Sequence, residues 1–421
     1  MPTKLFYGFG SVAFGVKDNG FSYFLLIFYN QVMGLPAQTV GLAIMIALFV
    51  DAFLDPIVGQ ASDNFRSKWG RRHPFMYAAA IPVAVSYLLL WNPPKGLDHQ
   101  GLFFYLIGTA ILIRSFITCY EIPSAALAAE LTTGYDERTK LLSYRFLFGW
   151  IGGLAIYFAA LKVFLTPDAT HKVGQLNVEG YARYGVAAAL IMLVAILVSS
   201  LGTHRQIPFL RTAPHRKLSL PMLAREMFGT LSHASFLRIL VSNLFGAMAG
   251  GLTLSISLYF TTFFWEFSSA QIALFTFASL TAALFAFAAA PVFSQKFGKK
   301  RSAMTLLLIG VAVGGTPIVL RLAGLFPENG SPVLFPLIFL QNVISTGATI
   351  TANILTSSMI ADVVEDSELQ TGRRSEGLFF AASAFVAKAV TGIGIFTSAM
   401  LLKAAAFPQS ARPGEVDPAV I

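Results

Sequence analysis

Charge is scarce in this sequence: Asp, Glu, Lys and Arg make up only 12% of 421 residues, while 55% are hydrophobic. A soluble chain carries roughly 25% charge, so an ordinary solvated surface is excluded. Cysteine is almost missing, with Cys119 alone inside an apolar run, which rules out a disulfide framework. The six histidines, His73, His99, His171, His204, His215 and His233, fall in or near loops without metal-ligand spacing. No glycine-rich loop ending in Gly-Lys-Ser/Thr occurs, which speaks against an ATP-driven machine. Inside the apolar runs there is neither a Ser/His pair nor a metal set, so an intramembrane enzyme lacks its nucleophile and base. No cleavable signal peptide is expected either. The first apolar run continues through Lys17, Asp18 and Asn19 and has no short hydrophobic core followed by a small-residue cleavage site.

What the chain does have is long apolar runs. They read as spans at about 5–33, 39–63, 74–92, 101–131, 141–164 and 182–203, then 232–264, 270–295, 302–322, 333–361 and 376–404. An all-α, multi-pass membrane protein follows. Alternate loops carry the bases: Arg66, Lys68, Arg71 and Arg72; Arg138 and Lys140; Arg205, Arg211, Arg216, Lys217 and Arg225; Lys296, Lys299, Lys300 and Arg301; Arg373 and Arg374. The other loops hold Lys95, Lys172 and little else. The positive-inside rule therefore puts the N-terminus in the cytoplasm of an inner (plasma) membrane. The net charge of +9 sits in these short loops and is not a nucleic-acid footprint.

The basic stretch 204–231 separates an N-terminal bundle, 1–203, from a C-terminal one, 232–404, with a polar tail at 405–421. The halves repeat: D55-P-I-V-G-Q-A-S-D…W-G-R-R answers A290-P-V-F-S-Q-K-F-G-K-K-R. Six spans precede the central loop and five follow it, so a twelfth helix is missing; truncation is the expectation, a natural eleven-span chain the alternative. G246-A-M-A-G250 and G310-V-A-V-G314 read as small-residue helix-packing motifs. The 39 phenylalanines are expected to face lipid or pack helices.

Against this background the charges within spans stand out. Asp51 and Asp55 lie one helical turn apart on one face, at a cost of about 5–7 kcal/mol for the pair at the bilayer centre. Such a pair marks a functional site by default. Carboxylates from spans 1, 2 and 4, with the Thr118 hydroxyl, could bind a hard cation or hold a proton. Lys388 and Arg145 are available as positive partners, and a purely structural ion-pair network is the competing reading. Arg114, Thr118 and Glu121 share a helix face, so Arg114 is expected to pair with Glu121 or Asp51. Asp63, Arg71 and Arg72 read either as a cytoplasmic gate or as solvated topology determinants.

The run D51-A-F-L-D-P56 followed by W69-G-R-R-H-P74 resembles the glycoside–pentoside–hexuronide:cation symporters, the melibiose permease group of the major facilitator superfamily. The resemblance covers essentially the whole chain. It implies a fold of two six-helix bundles, here lacking the twelfth helix, with a substrate site between the halves. It further implies a secondary symporter that moves a sugar or glycoside by alternating access, with no cofactor and as a monomer. Lys17 and Asp18 match its Lys-Asp, whose aspartate binds a sugar hydroxyl. Glu121 stands at its second sugar-binding acid, and Arg145 at its hydroxyl clamp. Asp51, Asp55 and Thr118 match its cation site, which makes sodium at the two aspartates one option. Lys388 matches a lysine near the acidic cluster, and A361-D-V-V-E-D…R373-R-S-E-G resembles its signature after span 10. Three positions depart. Leu54 replaces a cation-site asparagine, while Ala125 and Asn353 stand where the group has sugar-stacking tryptophans. These changes, with Arg114, favour H⁺ over Na⁺ as coupling ion and admit a lysolipid or other amphiphile as an alternative substrate. A non-transporting receptor or an intramembrane enzyme is the reading from a different class.

Overall fold

The computed structural model describes residues 2–132, 135–169, 171–209, 234–371 and 376–417, with the backbone alone at 129, 135–139, 234–236, 239, 360–371 and 376–384. Arg138, Arg211, Arg216, Lys217, Arg225, Arg373 and Arg374, and the side chains of the 361–377 motif, lie outside what is described.

The described chain is helical. Helix α1 runs over residues 2–32 as Pro2–Phe9, Val12–Asn19, a π-turn at Gly20–Phe24, Leu25–Ile27 and a second π-turn at Phe28–Val32. The next five are α2 (Ala37–Asn64), α3 (His73–Trp91), α4 (His99–Leu131), α5 (Tyr135–Ala159, closed by a π-turn) and α6 (Val178–His204). They are followed by α7 (Ala234–Tyr259, also closed by a π-turn), α8 (Ser269–Phe297), α9 (Lys299–Leu322), α10 (Leu334–Thr371) and α11 (Glu376–Ala404). Ten helices among the described residues are long and apolar enough to cross a membrane; α1, being broken into short segments, falls outside that count. Starts are marked by side chains that accept the free N–H groups of a first turn. Asp98 caps α4, Asn177 caps α6, and Ser268 with Gln271 forms a capping box on α8. Gly298, at φ +78°, ends α8 and opens α9 in one step, a conformation only glycine adopts freely.

Two compact units result. One comprises Met1–Leu220, Gly246–Phe264 and Phe385–Ile421; the other comprises Pro221–Phe245 and Trp265–Ala384. In the first, a fully buried aromatic group joins α1, α3 and α6. Trp91 stacks on Tyr181 at 5.7 Å, and the Tyr87 and Tyr184 hydroxyls meet at 2.8 Å. Glycines let backbones touch: a Cβ on Gly15 would fall 2.1 Å from the Gly149 carbonyl of α5, and one on Gly394 2.1 Å from the Met248 carbonyl of α7. Gly246 and Gly250 play no such part, since a Cβ at either meets nothing within 4 Å; the adjoining Gly251 makes the α7–α11 approach instead.

Residues beyond α11 pack rather than trail. Gln31 donates to the Pro408 carbonyl at 3.1 Å and accepts from the Ala411 N–H at 2.8 Å, and Phe407 packs its ring against Tyr259 and Phe263. In the second unit α9 and α10 close over Ala303, Leu306, Ala348, Ala352 and Leu355. Gly310 and Gly314 there face Thr349 and Ser345, as a small-residue seam should. Large apolar side chains such as Phe285, Phe287, Leu308 and Val311 stay exposed, which suits a hydrocarbon solvent.

Candidate functional site: a charged cluster in the first unit

Helix α2 carries the centre of the site. Asp51 and Asp55 project from one face, and Pro56 inside the helix removes the N–H that the Ala52 carbonyl would otherwise use. Asp51 is 1% exposed, so its charge must be met by protein groups. One oxygen, Oδ2, accepts from Arg114 Nη1 at 2.7 Å, and the other, Oδ1, from the Thr118 hydroxyl at 2.7 Å. Arg114 also lies over the Phe21 ring, 4.5 Å from its centroid, so aromatic and carboxylate hold it together.

Asp55 is held differently. Lys388 of α11 donates to Asp55 Oδ2 at 2.5 Å and stands 3.3 Å from Asp51 Oδ2. Its other oxygen shares the Thr118 hydroxyl at 3.3 Å, the longer arm of a group with one proton to give. Asp55 and Lys388 keep 20% and 25% exposure, so this pair is partly accessible while Asp51 and Arg114, at 1% and 6%, are not.

Around Glu121 a second set assembles. Lys17, 2% exposed, sits 3.6 Å from Glu121 and 2.9 Å from Asp18. Asp18 itself is 59% exposed and meets the cluster through Lys17. Arg145 donates to Ser124 Oγ at 3.0 Å and to the Glu121 main-chain carbonyl at 3.3 Å, and lies over the Phe14 ring. Lys17, Glu121, Arg145, Asp51, Asp55, Thr118, Arg114 and Lys388 thus fall in one unit as a chain of paired charges. Asn353 lies on α10 in the other unit, where it is exposed.

At the basic end Asp63, Arg71 and Arg72 are joined by a residue that the motifs do not name. Glu130 of α4 accepts from Arg71 Nη2 at 2.7 Å and from Arg72 Nε at 2.9 Å. Arg72 further donates to Ser62 at 2.7 Å and pairs with Asp63. The available signal was a lone acid, Glu130, at the end of an apolar run facing a loop rich in arginine. Ser62 and Ser124 carried no signal beyond their polarity.

Solved transporters share this architecture. The xylose transporter XylE of E. coli, in an inward-open conformation, superposes with a TM-score of 0.65 at 14% identity, over 94% of this chain and 89% of that one. A D323A mutant of the nucleoside transporter NupG gives 0.64 at 13% identity over 96% and 91%. These likenesses give the fold, that of the major facilitator class. The family described as MFS/sugar transport protein matches residues 6–421, and the chain belongs to it. A putative glycoside/cation symporter of E. coli, YagG, is 26% identical over 94% of this chain and 81% of its own length. The isoprimeverose transporter of Lactiplantibacillus pentosus is 24% identical over 92% and 76%, and a sodium-dependent lysophosphatidylcholine symporter of Danio rerio is 23% identical over 96% and 78%. The protein is a secondary symporter, a multi-pass protein of the plasma membrane that takes a small-molecule substrate with a coupling cation.

Proposed function

We propose that this symporter moves a sugar or glycoside together with H⁺, and that Asp55 carries the proton. One observation supports the reading above others: all four carboxylate oxygens of Asp51 and Asp55 already face protein donors. A sodium ion needs several free oxygen ligands. Here Arg114 occupies the place of a cation at Asp51, and Leu54 supplies no oxygen. A proton needs one lone pair. Asp55 Oδ1, with only the long contact to Thr118, offers one, and on protonation the Lys388 ammonium keeps Asp51, 3.3 Å away, as its counter-ion.

Lys17, Glu121 and Arg145 then serve the substrate, presenting both donors and acceptors to hydroxyl groups, with Asp18 at the exposed edge. Asp63, Arg71, Arg72 and Glu130 close the basic end, which faces the cytoplasm together with the N-terminus. The lysolipid reading draws on the missing aromatic pair at Ala125 and Asn353. The relatives so named are sodium-dependent, however, and the Asp51 site here is already filled.

Inverted membrane vesicles and right-side-out vesicles carrying the protein test this. An imposed pH gradient should drive accumulation of isoprimeverose or D-xylose, the sugars named for proteins it resembles, and a sodium gradient should not. Asp55→Asn should abolish accumulation while sugar equilibration persists. Accumulation driven by sodium alone would refute proton coupling, and uptake of lysolipid but not of sugar would refute the substrate class.

A further inference from the structure

Three buried hydroxyls between α1, α4 and α6 are not used by the charged cluster described above. Tyr7, Tyr120 and Ser199 are each 0% exposed. None of their oxygens makes a hydrogen bond of ordinary length and angle within the protein, although Tyr120 adjoins Ser199 and Ser124 and Tyr7 adjoins Arg145. Buried hydroxyls are ordinarily satisfied, so several unsatisfied ones in one place call for a ligand that can donate and accept. Two of them converge on one point: a Cβ on Gly10 would fall 1.7 Å from the Tyr120 oxygen and 2.7 Å from Ser199 Oγ. Only a glycine in α1 leaves that point to the hydroxyls, which is also where α1 breaks between Phe9 and Val12.

The cluster is continuous at both ends. On one side the Arg145 guanidinium adjoins the Tyr7 hydroxyl, and Arg145 holds Ser124 and the Glu121 carbonyl. On the other, Thr203 lies one turn beyond Ser199 and donates to its carbonyl at 2.8 Å. The Thr203 hydroxyl meets His73 Nε2 at 3.1 Å. His73 is wholly buried, and its Nδ1 has no partner. The His204 ring stands edge-on to His73 at 5.9 Å and contacts the Tyr77 hydroxyl at 2.8 Å, at the basic end beside Arg72. The bordering charges are matched: Lys17 faces Glu121 and Asp18, and Arg72 faces Glu130 and Asp63.

We propose that these hydroxyls hold ordered water and, with Thr203, His73 and His204, form a proton path from the charged cluster to the basic end. The path rests on the proton-coupled reading above. Buried waters make about three hydrogen bonds each to groups otherwise unsatisfied, and a site with three such oxygens fits that demand. Along the path each oxygen or ring nitrogen takes a proton on one side and releases its own on the other. No group is consumed and no redox partner is needed.

Two measurements test it. In radiolytic hydroxyl-radical labelling of the purified protein, Tyr7 and Tyr120 should label well above Tyr184, which is as deeply buried but bonded to Tyr87. Equal labelling would overturn the water site. In proteoliposomes, Tyr120→Phe and Ser199→Ala should slow pH-gradient-driven sugar uptake about tenfold, equivalent to ~1.4 kcal/mol on the barrier, and leave sugar–sugar exchange unchanged. Uptake unaffected, or uptake and exchange falling together, would overturn the path. Wild-type uptake that ignores the pH gradient would sink proton coupling instead, an outcome visible before any variant is made.

Discussion

Asp51 and Asp55 show how two identical residues one turn apart acquire different tasks. Asp51 sits behind Arg114 and Thr118, and nothing in its surroundings can leave without stranding a charge. Removing one partner of such a pair costs about 3–5 kcal/mol, because the other is left buried and uncompensated. Arg114→Ala should therefore lower thermal stability in detergent by that order, and Asp51→Asn in the same chain should return much of the loss. Simple additivity of the two effects would show that the pair is not coupled. The sequence placed Arg114 on the face of Thr118 and Glu121 and named Asp51 among its partners; the choice between Asp51 and Glu121 needed three dimensions. Glu121 instead takes Lys17 as its nearest cation. Helical spacing identifies residues on one helix that share a face, but not which neighbouring helix that face meets.

At the scale of elements, most of the architecture was readable. Apolar runs delimit helices because every main-chain polar group must be satisfied inside the bilayer, and the expected 39–63, 74–92 and 182–203 become Ala37–Asn64, His73–Trp91 and Val178–His204. Neither the break in α1, where Gly10 makes way for Tyr120 on another helix, nor the π-turns were readable from the apolar runs. Nor was the packing of residues after α11, whose polar composition suggested only solvent. There Asn30 accepts from Tyr259 at 2.8 Å and from Gln31 at 2.7 Å, while Gln31 holds both Pro408 and Ala411. Gln31→Ala would leave the buried Ala411 N–H unpaired, at about 1–3 kcal/mol, and would free the carbonyl of exposed Pro408 to other partners. Limited proteolysis between residues 405 and 417 should then accelerate, and Gln31→Glu should accelerate it too, because it keeps the acceptor for Ala411 but sets a buried carboxylate against the Asn30 and Pro408 oxygens.

For the whole molecule, the run D51-A-F-L-D-P56 with W69-G-R-R-H-P74 carried the family resemblance, and Lys388 was expected near the acidic cluster; the fold gives this α11 lysine its closest partner in Asp55 of α2. That pairing has a consequence for how the chain is made. Synthesis runs at roughly 5–20 residues per second. Arg114 follows Asp51 by 63 residues, so this aspartate waits about 3–13 s for its partner. Lys388 follows Asp55 by 333 residues, and Asp55 must wait about 17–67 s. Through that interval α2 holds a second acid that no finished part of the chain neutralises, at about 2.5–3.5 kcal/mol near the bilayer centre. In nascent chains stalled before α11, Asp55→Asn should raise the fraction of α2 that is stably inserted, as read by glycosylation mapping. In the full-length chain the same change should make little difference, because by then the lysine has arrived.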